Sequence, residues 1–265
     1  MTQYVRYRSD AGARWGILED QRVREILGVP FASHSETGKS RPRGDLELLS
    51  PCEPGKIIAV GRNYRSHLGN RVEPKNPEIF FKPLSSLQDP GGPIVIPPEA
   101  TDVHYEGELV LVMGRRAKDL SREEAPAAIL GATCGNDVTD RNWQYGENKD
   151  VQWWRAKGSD TFAPVGPVLS TGLDYGNLRL ETRLNGETVQ KERTADFIFD
   201  CATVVSWVSR WVTLLPGDLI FTGTPGATRR LSPGDVVEVE IEGIGVLRNP
   251  VVCGASPPPY GSTRL

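Results

Sequence analysis

Apolar and polar positions alternate in short runs along most of the chain, and a glycine, a proline or a polar turn closes each run. YVRYRS, ARWGILE and RVREIL open the chain in this way. Near the other end, Val237, Val239 and Ile241 alternate with glutamates, which is the pattern of a half-buried strand. With 28 glycines and 21 prolines to form turns, the chain is predicted to be a β-rich α+β protein.

Few segments have the period of a helix. TVVSWVSRW places Val204, Val208 and Trp211 at i, i+4 and i+7, which predicts a helix packed on the core. SREEAPAAIL carries a capping box, Ser121 with Glu124, and predicts a short helix that ends at Gly131. KIIAVG reads as a buried strand, and residues 61–83 after it read as a long polar loop, which in a compact domain is often functional.

Two units are predicted from these patterns. Strand-like runs fill the start of the chain, and the polar stretch HSETGKSRPRGD after them reads as an exposed connector. We therefore expect a small N-terminal β domain with its connector at residues 1–52 and a catalytic domain at residues 53–265. The last ten residues, SPPPYGSTRL, are expected to be poorly ordered.

Composition narrows the classes of partner and compartment. The 31 basic and 34 acidic residues give a net charge of −3, which argues against nucleic acid or an anionic membrane as a partner. The chain shows neither a signal-peptide pattern at its start nor an apolar run of membrane-spanning length, so we expect a soluble cytoplasmic protein. Its four cysteines lack the close spacing of a zinc site or a disulfide scaffold, and we expect them to be reduced and mostly buried.

VHYEGELVLVMG places two carboxylates in an apolar strand. Glu106 and Glu108 are two residues apart and therefore share one face of the strand. They could lie on a solvated edge, or they could hold a hard divalent cation, which prefers oxygen ligands. Asp137, at the end of a small-residue strand, is the best candidate for a third ligand. His104 shares the face, but a histidine satisfied by local hydrogen bonds is at least as good an interpretation, so we leave it outside the ligand set.

Three other segments carry candidate chemistry. His67 lies in the long polar loop, where a general base near neutral pH could act. Lys157 follows two tryptophans, and Arg141 follows Asp137 by four residues; each could bind an anion or be a solvated surface charge. FTGTPGAT lacks the spacing of a P-loop, and it predicts a tight turn whose backbone N–H groups and Thr224 hydroxyl could hold a small carboxylate.

Taken together, the segments resemble the fumarylacetoacetate hydrolase family. VGRNYRSH, PEIFFKP, HYEGELVLVMG, GNDVTDRNWQ, RAKGSDTFAPVGP and LPGDLIFTGTPGAT occur in the family's order, and the resemblance covers about residues 53 to 250. It implies a mixed β-sandwich or β-roll catalytic domain, a homodimer, and Mg²⁺ or Mn²⁺ held by three carboxylates.

The resemblance also implies a role for each matching residue. The metal ligands would be Glu106, Glu108 and Asp137, and His67 would be the base on a mobile loop. Lys157 would stabilise developing negative charge. The substrate-binding residues would be Arg141, Gln144, Thr224, Lys82 and Tyr64.

One position departs from the family's pattern. The histidine of the family often works with a glutamate three residues later, and this chain has Asn70 there. Asparagine cannot accept a proton at neutral pH, which puts the histidine–glutamate dyad in doubt. Glu73 in the same segment is a candidate substitute.

The expected activity is a metal-dependent reaction on a small 2-oxo acid. The leading expectation is hydrolytic cleavage of a carbon–carbon bond in an acylpyruvate. The alternatives on the same site are decarboxylation or tautomerisation of oxaloacetate, hydration or isomerisation of an unsaturated 2-oxo acid, and 2-oxo acid binding without catalysis. The departure at Asn70 slightly favours reactions that need less water activation.

Overall fold

The computed structural model describes residues 1–255, and the predicted disorder of residues 256–265 lies outside this range. Nineteen strands dominate the described chain. In chain order they are β1 (Thr2–Ser9), β2 (Gly12–Glu19), β3 (Arg22–Leu27), β4 (Ser35–Pro42), β5 (Leu48–Leu49), β6 (Ile57–Gly61), β7 (Glu78–Lys82), β8 (Leu87–Gln88), β9 (Ile94–Ile96), β10 (Val103–His104), β11 (Gly107–Met113), β12 (Ile129–Asn136), β13 (Thr139–Asp140), β14 (Ala163–Thr171), β15 (Arg179–Leu184), β16 (Glu187–Arg193), β17 (Leu219–Phe221), β18 (Val236–Ile241) and β19 (Gly245–Cys253).

Helices are few and mostly short in the part of the chain that the structure describes. They are α1 (Arg65–Leu68), α2 (Arg141–Tyr145), α3 (Trp154–Gly158) and α4 (Cys201–Trp211), with 3-10 turns at Arg43–Asp45, Leu84–Ser86, Ala125–Ala128 and Thr194–Asp196. Among residues 1–255, none of the helices has the length and apolar character needed to cross a membrane. The cytoplasmic location stays a prediction from the sequence.

Two sheets packed face to face form the scaffold. The larger has twelve strands, with the path β4-β3-β2-β1-β14-β12-β11-β17-β6-β7, while β5 pairs with β1 and β8 with β14. The second has five strands in the order β16-β15-β18-β19-β9, and a two-stranded sheet joins β10 to β13. The β-rich class and the sandwich architecture predicted from the sequence are confirmed.

The strand β11 lies at the centre of the larger sheet, and all seven of its residues are buried. Leu109 and Leu111 face a core shared with the five-stranded sheet, and Val110 and Val112 face a second core on the opposite side. A strand that is covered on both faces needs a continuous apolar run, which explains why LVLVM does not alternate.

Several local predictions were wrong. The expected connector contains β4, an edge strand whose eight residues are all exposed. The expected loop 61–83 contains helix α1 and strand β7. The capping box of Ser121 and Glu124 forms, but it precedes only a 3-10 turn that ends at Ala128, and β12 begins at the next residue. Helix α4 buries Val204 and Val208 as predicted, whereas Trp211 is 71% exposed at its last turn.

Strands β1–β4 continue the larger sheet through the pairing of β1 with β14. The N-terminal strands therefore share a sheet with the strands that carry Glu108 and Asn136. The predicted domain boundary at residues 52 and 53 stays a prediction. Cys52, Cys134 and Cys201 are buried and Cys253 is exposed, and the structure records all four as free thiols.

Candidate active site

Glu106, Glu108 and Asp137 lie together, and we call them the carboxylate triad. Glu106 precedes β11, Glu108 is the second residue of β11, and Asp137 directly follows β12. The antiparallel register of β11 and β12, together with a hydrogen bond from the Asp137 N–H to the Glu106 carbonyl (2.8 Å), brings the three side chains to one end of the sheet. One oxygen of each carboxylate lies within 4.8 Å of the others, and all three residues are buried.

The two glutamates of the triad differ in electrostatic environment. Burial, together with the negative charges of Asp137 and Glu106, raises the pKa of Glu108 well above its usual range. Burial acts in the same direction on Glu106, but Lys157 and Arg141 outweigh it and hold the pKa of Glu106 well below its usual range. A divalent cation would relieve the repulsion that Glu108 experiences.

Two buried lysines offset part of the negative charge of the triad. The Lys157 Nζ, on α3, donates to Glu106 Oε2 and to Asp137 Oδ2, both at 2.6 Å. Burial opposes its charge, but Asp137 and Glu106 prevail and raise the pKa of Lys157. The Lys82 Nζ, at the end of β7, donates to Asp137 Oδ1 (2.5 Å) and to the Lys157 carbonyl oxygen. Lys82 was expected to bind substrate, and its ammonium instead contacts a triad carboxylate and the backbone of α3.

Three of the other expected substrate-binding residues, Arg141, Gln144 and Thr224, line the cavity beside the triad. Arg141 donates from Nη2 to Glu106 Oε1 (2.5 Å) and from Nη1 to Gln144 Oε1 (2.7 Å), so helix α2 presents both side chains together. The Thr224 hydroxyl donates to the Gly107 carbonyl oxygen at 2.9 Å. This commits its hydrogen to the protein, so Thr224 can offer a substrate only a lone pair of that oxygen.

His67 lies on α1 and faces the triad. Its Nδ1 is 2.6 Å from the Gly226 carbonyl oxygen, and its Nε2 is 3.9 Å from Glu106 Oε1. A carbonyl only accepts, so Nδ1 carries the hydrogen and Nε2 of the neutral ring has a free lone pair directed toward the site. Burial lowers the pKa of His67, partly offset by Glu106, which favours this neutral form.

Among the described residues, neither Asn70, at the family's partner position, nor the candidate substitute Glu73 makes a hydrogen bond or ion pair with the His67 ring. Asn70 is exposed, as is Glu73. The Glu73 carboxylate accepts hydrogen bonds from Arg65 Nε and Nη2, at 3.1 and 3.2 Å. Within residues 1–255, Glu106 is the one carboxylate recorded within 4 Å of the His67 ring nitrogens.

Tyr64 and His104 do not line the site. Tyr64 is fully buried against Phe197, with ring centroids 4.7 Å apart, and burial raises the pKa of its hydroxyl. That hydroxyl has no hydrogen-bond partner among the described residues. His104 bonds Asp102 and Thr228, as the locally satisfied interpretation predicted, and Thr228 also accepts from Arg141. The structure therefore places Tyr64 behind the site and His104 one layer outside it.

An aromatic wall, which the sequence did not reveal, lines the same cavity. Phe80, Tyr145 and Trp153 pack edge to face, with centroids 5.5 Å (Phe80–Trp153) and 6.1 Å (Tyr145–Trp153) apart. The Arg71 guanidinium lies 4.9 Å from the centroid of the Tyr145 ring and links the segment after α1 to the wall. The enclosed cavity has a volume of about 20 Å³, which is room for about one water molecule.

The donor set fits a hard divalent cation. Three buried carboxylates supply anionic oxygens from one direction, as expected for Mg²⁺ or Mn²⁺ with positions left for other oxygen ligands. Burial and the negative charges of Asp137 and Glu106 raise the pKa of Glu108, and such an ion would offset both effects.

Comparisons with known proteins agree with this geometry. Residues 56–252 match the model described as "Fumarylacetoacetate (FAA) hydrolase C-terminal", and residues 2–51 match "Rv2993c-like, N-terminal". The chain belongs to the fumarylacetoacetate hydrolase family. It is 41% identical to "Oxaloacetate tautomerase FAHD2A, mitochondrial" of Bos taurus, over 80% of this chain and 71% of that protein.

Solved structures of the family extend the comparison. A 2-hydroxyhepta-2,4-diene-1,7-dioate isomerase from Mycobacterium marinum has a TM-score of 0.89 and 41% identity, covering 97% of this chain and all of that one. Maleylpyruvate hydrolase from Sphingobium sp. SYK-6, solved in complex with manganese(II) ion and pyruvate, has a TM-score of 0.79 and 26% identity, covering 96% of this chain and all of that one. The family thus includes enzymes with different named reactions, and membership alone does not select one for this chain.

Proposed function

We propose that this family member catalyses metal-dependent enolisation of a small 2-oxo acid, as in the keto–enol tautomerisation of oxaloacetate or the isomerisation of an unsaturated 2-oxo acid. The observation that carries the proposal is the free lone pair of His67 Nε2 beside the triad, with Asn70 where a carboxylate partner was expected. Moving a proton between carbon and oxygen needs one base and does not need an activated water.

The charge of the site supports a reaction in which the substrate gains negative charge. The carboxylate triad carries three negative charges when ionised, and Lys82, Lys157 and Arg141 balance them with three positive charges. A bound divalent cation would then give the site a surplus of two positive charges. Formation of the enolate adds one negative charge to a 2-oxo acid, so this positive surplus favours the enolate over the keto form.

The triad would hold Mg²⁺ or Mn²⁺, which would act as a Lewis acid toward the developing negative charge on the substrate's oxo oxygen. Arg141 and Gln144 would bind the substrate carboxylate, and Lys157 would donate a hydrogen bond to the same developing charge. His67 Nε2 would take the proton from the carbon next to the oxo group and return it to the oxygen, or carry it in the reverse direction.

The cavity beside the triad has room for about one water molecule, so we propose that a 2-oxo acid enters only after a neighbouring segment moves. The segment from α1 to β7 carries His67 and Arg71, and it contacts the aromatic wall through the Arg71 guanidinium. We propose that this segment opens to admit the substrate and closes to exclude water, as lid segments do in many enzymes.

Hydrolytic cleavage of an acylpyruvate is the second candidate. It is favoured by the same free lone pair of His67, which could accept a proton from an attacking water. The similarity to a maleylpyruvate hydrolase adds support. The exposed Asn70 and the pairing of Glu73 with Arg65 weigh against it, since neither side chain assists His67.

A direct assay separates these candidates. Purified protein with Mg²⁺ or Mn²⁺ is tested against the enol form of oxaloacetate, followed by ultraviolet absorbance, and against acetylpyruvate, followed by release of acetate. Faster loss of the enol band without pyruvate formation supports tautomerisation, while pyruvate formed from oxaloacetate indicates decarboxylation. Cleavage of acetylpyruvate with no effect on the enol band would overturn the proposal in favour of the hydrolase.

An alternative to an enzymatic function is binding of a 2-oxo acid without catalysis. It would be supported if a broad panel of 2-oxo acids showed no turnover while calorimetry showed tight binding of one of them. The complete set of base, cationic donors and carboxylate triad supports an enzyme instead, because simple sequestration does not require a base.

We also propose that the protein is a homodimer. Phe81, on the edge strand β7, is 52% exposed, and Trp154 and Val151 nearby are 67% and 96% exposed. These residues line one groove of about 800 Å³. Apolar side chains clustered at such exposure favour burial against another surface, here a second copy of the chain.

A further inference from the structure

The five-stranded sheet reaches the carboxylate triad through one buried side chain, Gln190 of β16. Its Oε1 accepts a hydrogen bond from the Gly107 N–H at 3.1 Å. Its Nε2 donates to the Thr224 hydroxyl at 2.9 Å and to the Pro225 carbonyl oxygen at 2.5 Å. Because Gln190 is almost completely buried, these bonds are sheltered from competition with water.

The hydrogen bonds close a ring around Gly107. The Thr224 hydroxyl accepts from Gln190 and donates to the Gly107 carbonyl oxygen at 2.9 Å. Both polar groups of Gly107 are therefore fixed, and Gly107 is the residue that separates Glu106 from Glu108. The same ring also fixes the direction of the Thr224 hydroxyl.

Close packing reinforces the ring. A Cβ atom on Gly107 would lie 2.0 Å from the Thr182 hydroxyl oxygen of β15 and 3.3 Å from Gln190 Oε1. The backbone between the two glutamates is thus pressed against the neighbouring sheet, and only glycine fits there. Thr182 is buried, yet its hydroxyl has no hydrogen-bond partner within residues 1–255, so it supplies contact without a polar link.

We propose that Gln190 is a positioning residue of the metal site. Its amide sets the separation and direction of the Glu106 and Glu108 carboxylates through the Gly107 backbone, and it orients Thr224 toward the same cavity. The inference rests on the proposed function only where turnover is measured. The measurement of metal binding does not depend on that function, because it needs no substrate.

The test replaces Gln190 with methionine, which has a similar volume and lacks both amide groups. The matched control is Thr182→Val, which removes a hydroxyl without a partner from the same contact with Gly107. Calorimetry of metal-stripped full-length protein with Mn²⁺ alone gives the affinity. The electron paramagnetic resonance spectrum of bound Mn²⁺ reports the ligand geometry.

Gln190→Met is expected to weaken Mn²⁺ binding by about 10- to 100-fold, the usual effect of removing a residue that orients metal ligands, and to change the spectrum. Thr182→Val is expected to retain the affinity and spectrum of the original protein. If both variants bind Mn²⁺ with the original affinity and spectrum, Gln190 has only a structural role and the proposal is overturned.

A milder variant keeps the test decisive if Gln190→Met does not fold. Gln190→Asn retains the amide but shortens its reach by one methylene, so it cannot keep all three contacts. A lower Mn²⁺ affinity with a changed spectrum would support the proposal, and unchanged values would overturn it. Absence of turnover on every 2-oxo acid, alongside these metal effects, would overturn the proposed function and leave the role of Gln190 in place.

Discussion

His67 shows how one hydrogen bond can define the chemistry of a side chain. The Gly226 carbonyl fixes the hydrogen on Nδ1 and leaves Nε2 as the basic atom, and burial lowers the pKa of the ring. A base must be unprotonated to work, so kcat/KM should fall as the pH drops through the pKa of His67, below its ordinary value of 6.5. An activity profile that shows no acid limb at any pH below 6.5 at which the protein stays folded would contradict this assignment.

His67→Gln tests the same assignment directly. Glutamine retains a donor for Gly226 but is not a base, so kcat should fall by about 10²- to 10⁴-fold, the usual contribution of a general base. The Mn²⁺ affinity, measured by calorimetry, should change little because His67 lies outside the carboxylate triad. Equal turnover by the variant would assign His67 a surface role.

Asn70→Glu tests whether the missing carboxylate limits water activation. A glutamate three residues after His67 adds a negative charge to the same segment, which should raise the pKa of the ring and move the acid limb of the activity profile to higher pH. It should also raise the rate of acylpyruvate cleavage relative to tautomerisation. Asn76→Glu, in the same exposed segment, is the control and should change neither quantity.

Asp137→Asn tests the third member of the triad while preserving its size. Loss of one anionic ligand should weaken Mg²⁺ binding, and activity should need a higher Mg²⁺ concentration. The matched control is Asp218→Asn, since Asp218 is also a buried carboxylate paired with a lysine, Lys56. The control should lose stability without a change in Mg²⁺ affinity, and unchanged affinity in Asp137→Asn would remove Asp137 from the ligand set.

The candidate site was predictable where residues follow a local pattern or a motif. The spacing of Glu106 and Glu108 gave their shared face. Asp137 and His67 were candidates from their positions at a strand end and in a polar segment, and the order of motifs assigned their roles. The direction of a buried side chain depends on the strands around it, so the sequence could not show that Lys82 faces Asp137 or that Tyr64 lies behind the site. Gln190 is 83 residues from the Gly107 that it contacts, and its own segment carries no sign of chemistry.

At the level of elements, the strands missed from the sequence are polar or lie inside a long irregular segment. All of β4 is exposed, so it carries none of the alternation that reveals a half-buried strand. Strand β7 follows a polar stretch with two prolines, and its pairing with β6, which the sequence does not display, places it in the sheet. Both strands are at the ends of the large sheet, where one side of the strand makes no pairing within residues 1–255.

The connection between β7 and α3 depends on Lys82. Lys82→Met should destabilise the metal-free protein by about 3 kcal/mol, because it removes one partner from a buried ion pair. Mg²⁺ should then raise the melting temperature of the variant more than that of the original protein, since the cation replaces the lost positive charge. Lys56→Met breaks the pair with Asp218 and should leave the Mg²⁺-dependent rise unchanged, so equal rises in all three proteins would refute the link between Lys82 and the metal site.

At the scale of the whole molecule, the site lies where the two sheets meet. The larger sheet supplies Glu108 on β11 and Lys82 on β7, and the five-stranded sheet supplies Gln190. This division explains why the sandwich architecture could be expected from alternation and motif order, while the contact between the sheets could not. Strand register across distant segments is set by packing, which a single sequence does not display.

The proposed homodimer predicts the mass of the protein in solution. If the groove lined by Phe81, Val151 and Trp154 is covered by a second copy, the protein should elute with the mass of two chains in size-exclusion chromatography with light scattering. Trp154→Asp should shift the mass toward one chain, because a charge in an apolar interface loses its hydration without gaining a partner. Trp211→Asp, which changes an equally exposed tryptophan on α4, should remain dimeric. A monomeric original protein, or equal masses for the two variants, would assign the exposed groove another role.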